Sequence, residues 1–210
     1  MTDDKRTHWD AVYGEKSEAE FSWHQDDPEV SLDLIGRAGI GPTASVIDVG
    51  GGTSRLAEAL LDRGLRDVTV LDLSQVALTA ARERLGPAGE SVTWLCADIT
   101  TWVPARQYDL WHDRAVFHFL VDALARDAYL ERMERALKPG GHAIIATFAP
   151  DGPTSCSGLP VCRYSPADLA EALEDGFALV EHRSHKHRTP WGSTQSFQFS
   201  LFRRTSATPR

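Results

Sequence analysis

From residue 45 onward the chain alternates short apolar runs with stretches whose apolar residues recur at helical spacing. Residues 45–49, 67–73, 92–97, 108–112 and 142–148 read as strands, and 54–63, 75–85 and 122–137 as the helices among them. In 54–63 the apolar side is Leu56, Ala57, Leu60 and Leu61. The helix 122–137 should stop at Lys138-Pro139-Gly140-Gly141, a run of helix breakers. The strand behind it is apolar almost throughout, which suits burial on both faces. Residues 166–174 form a short helix behind Ser165, a residue type suited to the N-cap. Residues 177–185 and 196–203 are closing strands. Only the loop 186–195 separates them, too little for a helical crossover, so they should pair antiparallel.

This order predicts an α/β fold: a Rossmann-like seven-stranded, mostly parallel sheet with an antiparallel edge hairpin and helices on both faces. Residues 1–44 form a helical lead-in bearing Trp9, Tyr13, Phe21 and Trp23. Its segment 29–35 has helical apolar spacing, and Gly36, Gly39, Gly41 and Pro42 end it. Residues 45–210 carry the sheet, and the whole is a single domain. Ligands of such sheets lie at the carboxyl ends of the strands, near the topological switch point.

Composition narrows the classes. A chain of 210 residues with 42% hydrophobic and 25% charged residues is an ordinary globular chain rather than a disordered one. Lys and Arg number 22 against 30 Asp and Glu, a net charge of −8, so phosphate backbones offer no general attraction and no nucleic-acid partner is expected. No apolar run reaches the ~18 residues of a membrane span, so no membrane partner is expected either. The charged start Met1-Thr2-Asp3-Asp4-Lys5-Arg6 does not resemble a secretory leader. Three cysteines, Cys96, Cys156 and Cys162, without CxxC spacing fit a reducing cytoplasmic setting and no structural metal.

The segment 46–56, Val-Ile-Asp-Val-Gly-Gly-Gly-Thr-Ser-Arg-Leu, is a strand, a glycine bend and a helix start. Gly50, Gly51 and Gly52 let the backbone turn sharply and admit a ligand without a Cβ in the way. A dinucleotide loop would need a small residue where Arg55 stands, and a phosphate loop would need Gly-Lys-Ser/Thr. Asp48 beside the bend would repel an anion and favour a cation. Asp72 closes the second strand, where a carboxylate can accept from both ribose hydroxyls. Asp98 closes the third, where it can accept from an adenine amino group. An acidic residue at a strand end is often only a turn former. Three at successive ends beside a glycine bend imply an adenosine ligand with a positive charge and no phosphate, which S-adenosylmethionine satisfies.

At this point the chain resembles the class I S-adenosylmethionine-dependent methyltransferases. The resemblance rests on VIDVGGGTS (46–54), VTVLDLS (68–74), CADIT (96–100), YDLWHDRAVFHFL (108–120) and LKPGGHAIIATF (137–148). Ser54 departs from it, since many members carry a third glycine there. The resemblance implies S-adenosylmethionine as cofactor and S-adenosylhomocysteine as product. It implies that Asp48 and the Gly50–Gly52 backbone hold the methionine portion, Asp72 with Leu73 the ribose, and Asp98 with Ile99 the adenine. His112, Asp113, Arg114 and Ala115 would line the floor near the sulfonium. It also implies that the N-terminal segment lids the cofactor through Tyr13 and Trp23.

Methyl transfer from a sulfonium needs alignment and exclusion of water more than metal or covalent chemistry. An amine or hydroxyl acceptor would also need a proton acceptor, for which His118, just past the fourth strand, is the candidate; a histidine merely packed among aromatics is the plain alternative. Cys156 and Cys162 lie in a Gly/Pro-rich loop where acceptors are often read, as binders of a thiophilic species or as ordinary loop residues. His182, His185 and His187 read as a solvated edge. The leading expectation is an enzyme methylating a small molecule at sulfur, nitrogen or another soft atom. A protein-lysine methyltransferase, a nicotinamide dehydrogenase and a non-catalytic cofactor binder remain as alternatives.

Overall fold

The computed structural model describes residues 2–15, 17–173 and 176–205. Two helices lead in, α1 (Thr2–Glu15) and α2 (Glu29–Arg37). Then β1 (Ser45–Val49), α3 (Leu56–Asp62), β2 (Asp67–Asp72), α4 (Gln75–Leu85), β3 (Val92–Cys96) and β4 (Tyr108–Arg114) alternate. After them come α5 (Ala123–Ala136), β5 (Leu137–Phe148), a small hairpin of β6 (Ser155–Cys156) and β7 (Leu159–Pro160), then α6 (Pro166–Leu173), β8 (Phe177–Arg188) and β9 (Thr194–Arg204).

The seven-stranded sheet has the order β3-β2-β1-β4-β5-β9-β8. Strands β1 to β5 pair in parallel, and β9 runs antiparallel to both β5 and β8. The expected Rossmann-like sheet with its antiparallel closing pair is therefore present. The chain reverses direction across the sheet between β1 and β4, which opens a crevice at their carboxyl ends.

β1 is buried along its whole length because each face meets a different helical layer. Val46 packs with Leu32, Ile35, Leu56, Leu60 and Leu78 of the helices on one side. Ile47 and Val49 pack with Tyr129, Met133, Leu169 and Leu173 on the other. The second half of the lead-in is thus part of the core. At the far end of the sheet, Asp109 accepts from the Ser45 amide and hydroxyl, both at 2.8 Å, and from Lys138 Nζ at 2.8 Å, tying β1, β4 and β5 together.

Three boundaries differ from the sequence reading. Lys138-Pro139-Gly140-Gly141 does not separate helix from strand: β5 begins at Leu137, opposite Tyr108, and the four residues loop out before His142 pairs with Leu110. Gly140, at φ +76°, allows that excursion. The closing pair is longer than expected, reaching Arg188 opposite Thr194, so only 189–193 form its turn. The loop holding Cys156 is partly ordered as the β6–β7 pair, and Cys156 is buried. The expected helix end at Glu174 lies outside the described residues. Among the described residues no helix is long and apolar enough to cross a membrane, and no cluster of His, Cys, Asp and Glu could hold a metal ion.

Candidate active site

A cavity of about 350 Å³ opens at the carboxyl ends of β1 to β4, roofed by α1 and walled by β9. Its floor is the glycine bend. The Gly50 and Gly51 amides both donate to the Leu71 carbonyl, at 2.6 and 3.3 Å, so the bend is pinned to β2. Gly50 sits at φ +65° and Gly52 at +50°. A Cβ on Gly50 would stand 1.9 Å from Val116 Cγ2, and one on Gly52 would stand 2.4 Å from the Tyr13 hydroxyl. The bend therefore needs glycine both for backbone conformation and for the close approach of its neighbours.

Asp72, at the end of β2, lines the cavity. Its Oδ1 accepts from the Ser74 amide at 2.8 Å, and the Gly52 amide also donates to it. Burial outweighs these bonds and lifts its pKa to about 6. Asp98 lines the same cavity, with Oδ1 held by the Thr100 amide (2.9 Å) and hydroxyl (2.7 Å). Leu73 and Ile99 lie beside the two carboxylates. Two acidic side chains thus sit on adjacent strand ends above a chiefly apolar surface.

The roof is aromatic. Phe21 and Trp23 stack with centroids 4.8 Å apart, Tyr13 packs edge-on to both, and Trp9 packs edge-on to Phe119 at 5.2 Å. The Trp23 indole donates to the Tyr13 hydroxyl. Burial and the Asp72 carboxylate push the Tyr13 phenol up, keeping it protonated. α1 is fixed over the cavity by Asp10, whose Oδ1 accepts from Ser74 Oγ at 2.6 Å and from the Val76 amide at 3.3 Å.

Residues 46–141 match the family model described as "Methyltransferase domain". Over this segment the chain is similar to methyltransferase domains, as the sequence resemblance implied. A ubiquinone/menaquinone biosynthesis C-methyltransferase of Bordetella parapertussis is 33% identical over 118 residues, 55% of this chain and 45% of that protein. Thiocyanate methyltransferase 1 of Arabidopsis thaliana is 31% identical over 150 residues, 70% of this chain and 63% of that protein. The chain spans about half the length of the first of these relatives. A Burkholderia thailandensis 1,6-didemethyltoxoflavin-N1-methyltransferase, solved with 1,6-didemethyltoxoflavin and S-adenosylhomocysteine bound, shares the fold at a TM-score of 0.70 and 22% identity, covering 98% of this chain and 87% of that one.

The expected residues divide between two spaces. Tyr13, Trp23, Gly50, Asp72, Leu73, Asp98, Ile99 and His118 all face the main cavity. Asp48 and Gly51 face a smaller recess of about 50 Å³ on the other side of Gly50, and Gly52 lies under the Tyr13 hydroxyl. Asp48 is buried and engaged: its Oδ1 is 2.7 Å from His112 Nδ1, while His112 Nε2 is 2.8 Å from Ser31 Oγ. Asp113 is fully buried and lines neither space. It accepts from the Val116 amide (2.8 Å), the Phe117 amide (3.0 Å) and the Tyr129 hydroxyl (2.6 Å). That holds the turn after β4, where Ala115 adopts φ +76°.

His118 is fully buried, with Nδ1 3.5 Å from the Phe148 amide. Burial and the Arg114 charge push its pKa down to about 3. The ring is therefore neutral, and with Nδ1 on the acceptor side its hydrogen resides on Nε2. So weak a base is better suited to hold an acceptor than to take a proton from it. Cys156 lines the cavity and burial pushes its thiol up, whereas Cys162 serves through its amide, which donates to the His118 carbonyl at 2.8 Å. Of the hairpin histidines, His187 is buried and its Nε2 is 2.7 Å from the Ser22 carbonyl, so it is not part of a solvated edge. Sequence reasoning missed Phe148, Gln195 and Phe197, which wall the cavity. They come from the β5–β9 seam, a long-range pairing with no local signature.

Proposed function

We propose that this chain transfers the methyl group of S-adenosylmethionine to a small-molecule acceptor through a soft sulfur or nitrogen atom. One observation carries the reading. Asp72 and Asp98 stand at adjacent strand ends over a glycine bend and a largely apolar cavity, with Asp48 just behind the bend. Two carboxylates suit the hydroxyl and amino donors of an adenosine, and the acidic setting of the bend suits a cationic tail and repels a diphosphate. The residues present therefore fit S-adenosylmethionine. Asp72 and Leu73 would hold the ribose, Asp98 and Ile99 the adenine, and the Gly50–Gly52 bend with Asp48 the amino-acid portion.

When bound, this cofactor supplies a methyl group already activated by the sulfonium. What remains for the protein is to align the acceptor and keep water out, effects worth up to about 7–11 kcal/mol. The roof of Trp9, Tyr13 and Trp23 shields the cavity and offers aromatic faces to a cation. His118, neutral and buried, fixes the acceptor by hydrogen bonding. The closed roof favours a small molecule over a polypeptide side chain.

Calorimetry with S-adenosylhomocysteine and with NADH tests the cofactor assignment: binding of the first and none of the second is expected, and the reverse result rejects it. A screen of metabolites and proteins with tritiated S-adenosylmethionine then identifies the acceptor class, and label appearing only in protein would refute the small-molecule reading.

A further inference from the structure

Arg114, the last residue of β4, lines the cavity and is held in an unusual state. Its Nη1 donates to the Trp23 carbonyl at 2.9 Å, and its guanidinium lies over the Phe197 ring, 5.1 Å from the centroid. Its Nε and Nη2 are buried and have no hydrogen-bond partner. Among the described residues no carboxylate forms an ion pair with it; Asp48 attracts it from farther off, and burial pushes its pKa down to about 10. Nε and Nη2 are the two nitrogens on one edge of the guanidinium. Their parallel N–H bonds match the two oxygens of a planar anion.

His118 supplies a further orphan. Its Nε2 is buried without a partner, and its neutral tautomer places a hydrogen there. Arg114 and His118 both line the main cavity. Their rings and those between them are continuous: His118 packs on Phe148 at 4.8 Å, Phe148 on Phe197 at 4.8 Å, and Phe197 carries Arg114. Three N–H donors without a partner therefore belong to two residues that line one cavity along a continuous aromatic wall. Buried donors are almost always satisfied, so such a set marks the seat of a missing acceptor.

The geometry points to a carboxylate subsite: the methyl acceptor is a small acid with a flat apolar body, whose carboxylate takes the Nε/Nη2 edge of Arg114 and Nε2–H of His118. This rests on the proposed methyltransferase reading and specifies the substrate class of that same cavity. The cofactor's own carboxylate is the rival source, because Arg114 also borders the recess behind the glycine bend. His118, Phe148 and Phe197 border the main cavity and not that recess, and so favour the acceptor.

The test uses the full chain saturated with S-adenosylhomocysteine, read by tryptophan fluorescence because Trp9 and Trp23 line the cavity. Benzoate, phenylacetate and 2-mercaptobenzoate are titrated against their neutral amides. At least one acid should bind tenfold or more tighter than its amide, a comparison that needs no variant. Arg114→Gln should erase that preference and Arg114→Lys should retain part of it, while S-adenosylhomocysteine affinity stays within threefold in both. If no acid outbinds its amide in the wild type, the subsite is wrong. If Arg114→Lys, folded by circular dichroism, loses tenfold or more in S-adenosylhomocysteine affinity, the guanidinium serves the cofactor and the proposal falls. Failure of the wild type to bind S-adenosylhomocysteine would instead strike the methyltransferase reading.

Discussion

Asp10 Oδ1 accepts a 2.6 Å hydrogen bond from Ser74 Oγ, the same oxygen that caps α4 by accepting from the Ala77 amide at 3.2 Å. The roof helix is thereby fastened to the residue that follows Asp72 and Leu73 on the cavity wall. Asp10→Ala removes this bond and the bond from the Val76 amide, about 1 kcal/mol of latch. Opening of α1 should rise about fivefold. Limited proteolysis within residues 2–15 reads this directly: the variant should be cut about five times faster, and S-adenosylhomocysteine should slow cleavage of both proteins. Equal cleavage rates would mean that the latch does not hold the roof.

Asp72 has a lone task in the proposed site, to accept hydrogen bonds from the ligand while the backbone amides of Gly52, Leu73 and Ser74 orient it. Asp72→Ala should weaken S-adenosylhomocysteine binding by about 1.5–3 kcal/mol, the scale of charge-assisted hydrogen bonds. Isothermal titration measures this. Because burial lifts the Asp72 pKa to about 6, affinity for the ionised carboxylate should also fall as pH drops through 6. The variant should lack that fall.

Gly50→Ala confronts both a left-handed backbone and Val116 Cγ2 at 1.9 Å. The backbone costs roughly 1–2 kcal/mol and the overpacking roughly 1–3 kcal/mol. For a chain of this size the melting temperature should drop by about 5–15 °C. Gly50→Ala combined with Val116→Ala should recover part of the loss in a thermal melt, since the clash lies with one side chain; no recovery would place the cost in the backbone alone.

His118 contributes to the pH dependence of stability with a definite sign. Its folded pKa of about 3 lies below the unfolded value of 6.5, so the unfolded chain binds the proton more tightly. Stability is lost as pH falls from 6.5 toward 3. Between pH 7 and pH 5 this group alone removes about 2 kcal/mol. Asp113, lifted to about 6 by burial, acts in the opposite direction over part of that range, so the wild-type curve alone is not diagnostic. The difference between wild type and His118→Gln is: in urea melts the wild type's advantage should shrink by about 2 kcal/mol from pH 7 to pH 5. The same variant should lower turnover about tenfold or more while S-adenosylhomocysteine affinity holds, because its ring faces the acceptor side.

What was legible in the sequence was what local pattern controls. The glycine bend, Asp72 and Asp98 each lie at the end of a strand whose apolar run announces it, and Gly50, Asp72 and Asp98 reach the cavity. Asp113 misled because polarity at a strand end has two causes, a ligand or a turn. Here the amides of Val116 and Phe117 and the Tyr129 hydroxyl, the last from a helix beyond local reach, claim it. Arg114 was visible as a residue but not as an unpaired charge, because isolation depends on what surrounds it in three dimensions. Gln195 and Phe197 were invisible as cavity residues, since Phe197 is brought there by the long-range pairing of β9 with β5 and Gln195 stands two residues before it, opposite His187 of β8.

That pairing also orders events in time. β9 follows β8 in sequence, yet it occupies an interior place between β5 and β8. Until it is inserted, β5 presents an open edge through Ala143–Phe148, residues buried in the finished sheet. The folding chain therefore passes through a stage with a helical roof, a glycine bend and no far wall. It can hold its substrate only once β9 has been inserted, and its most association-prone stage is the one before.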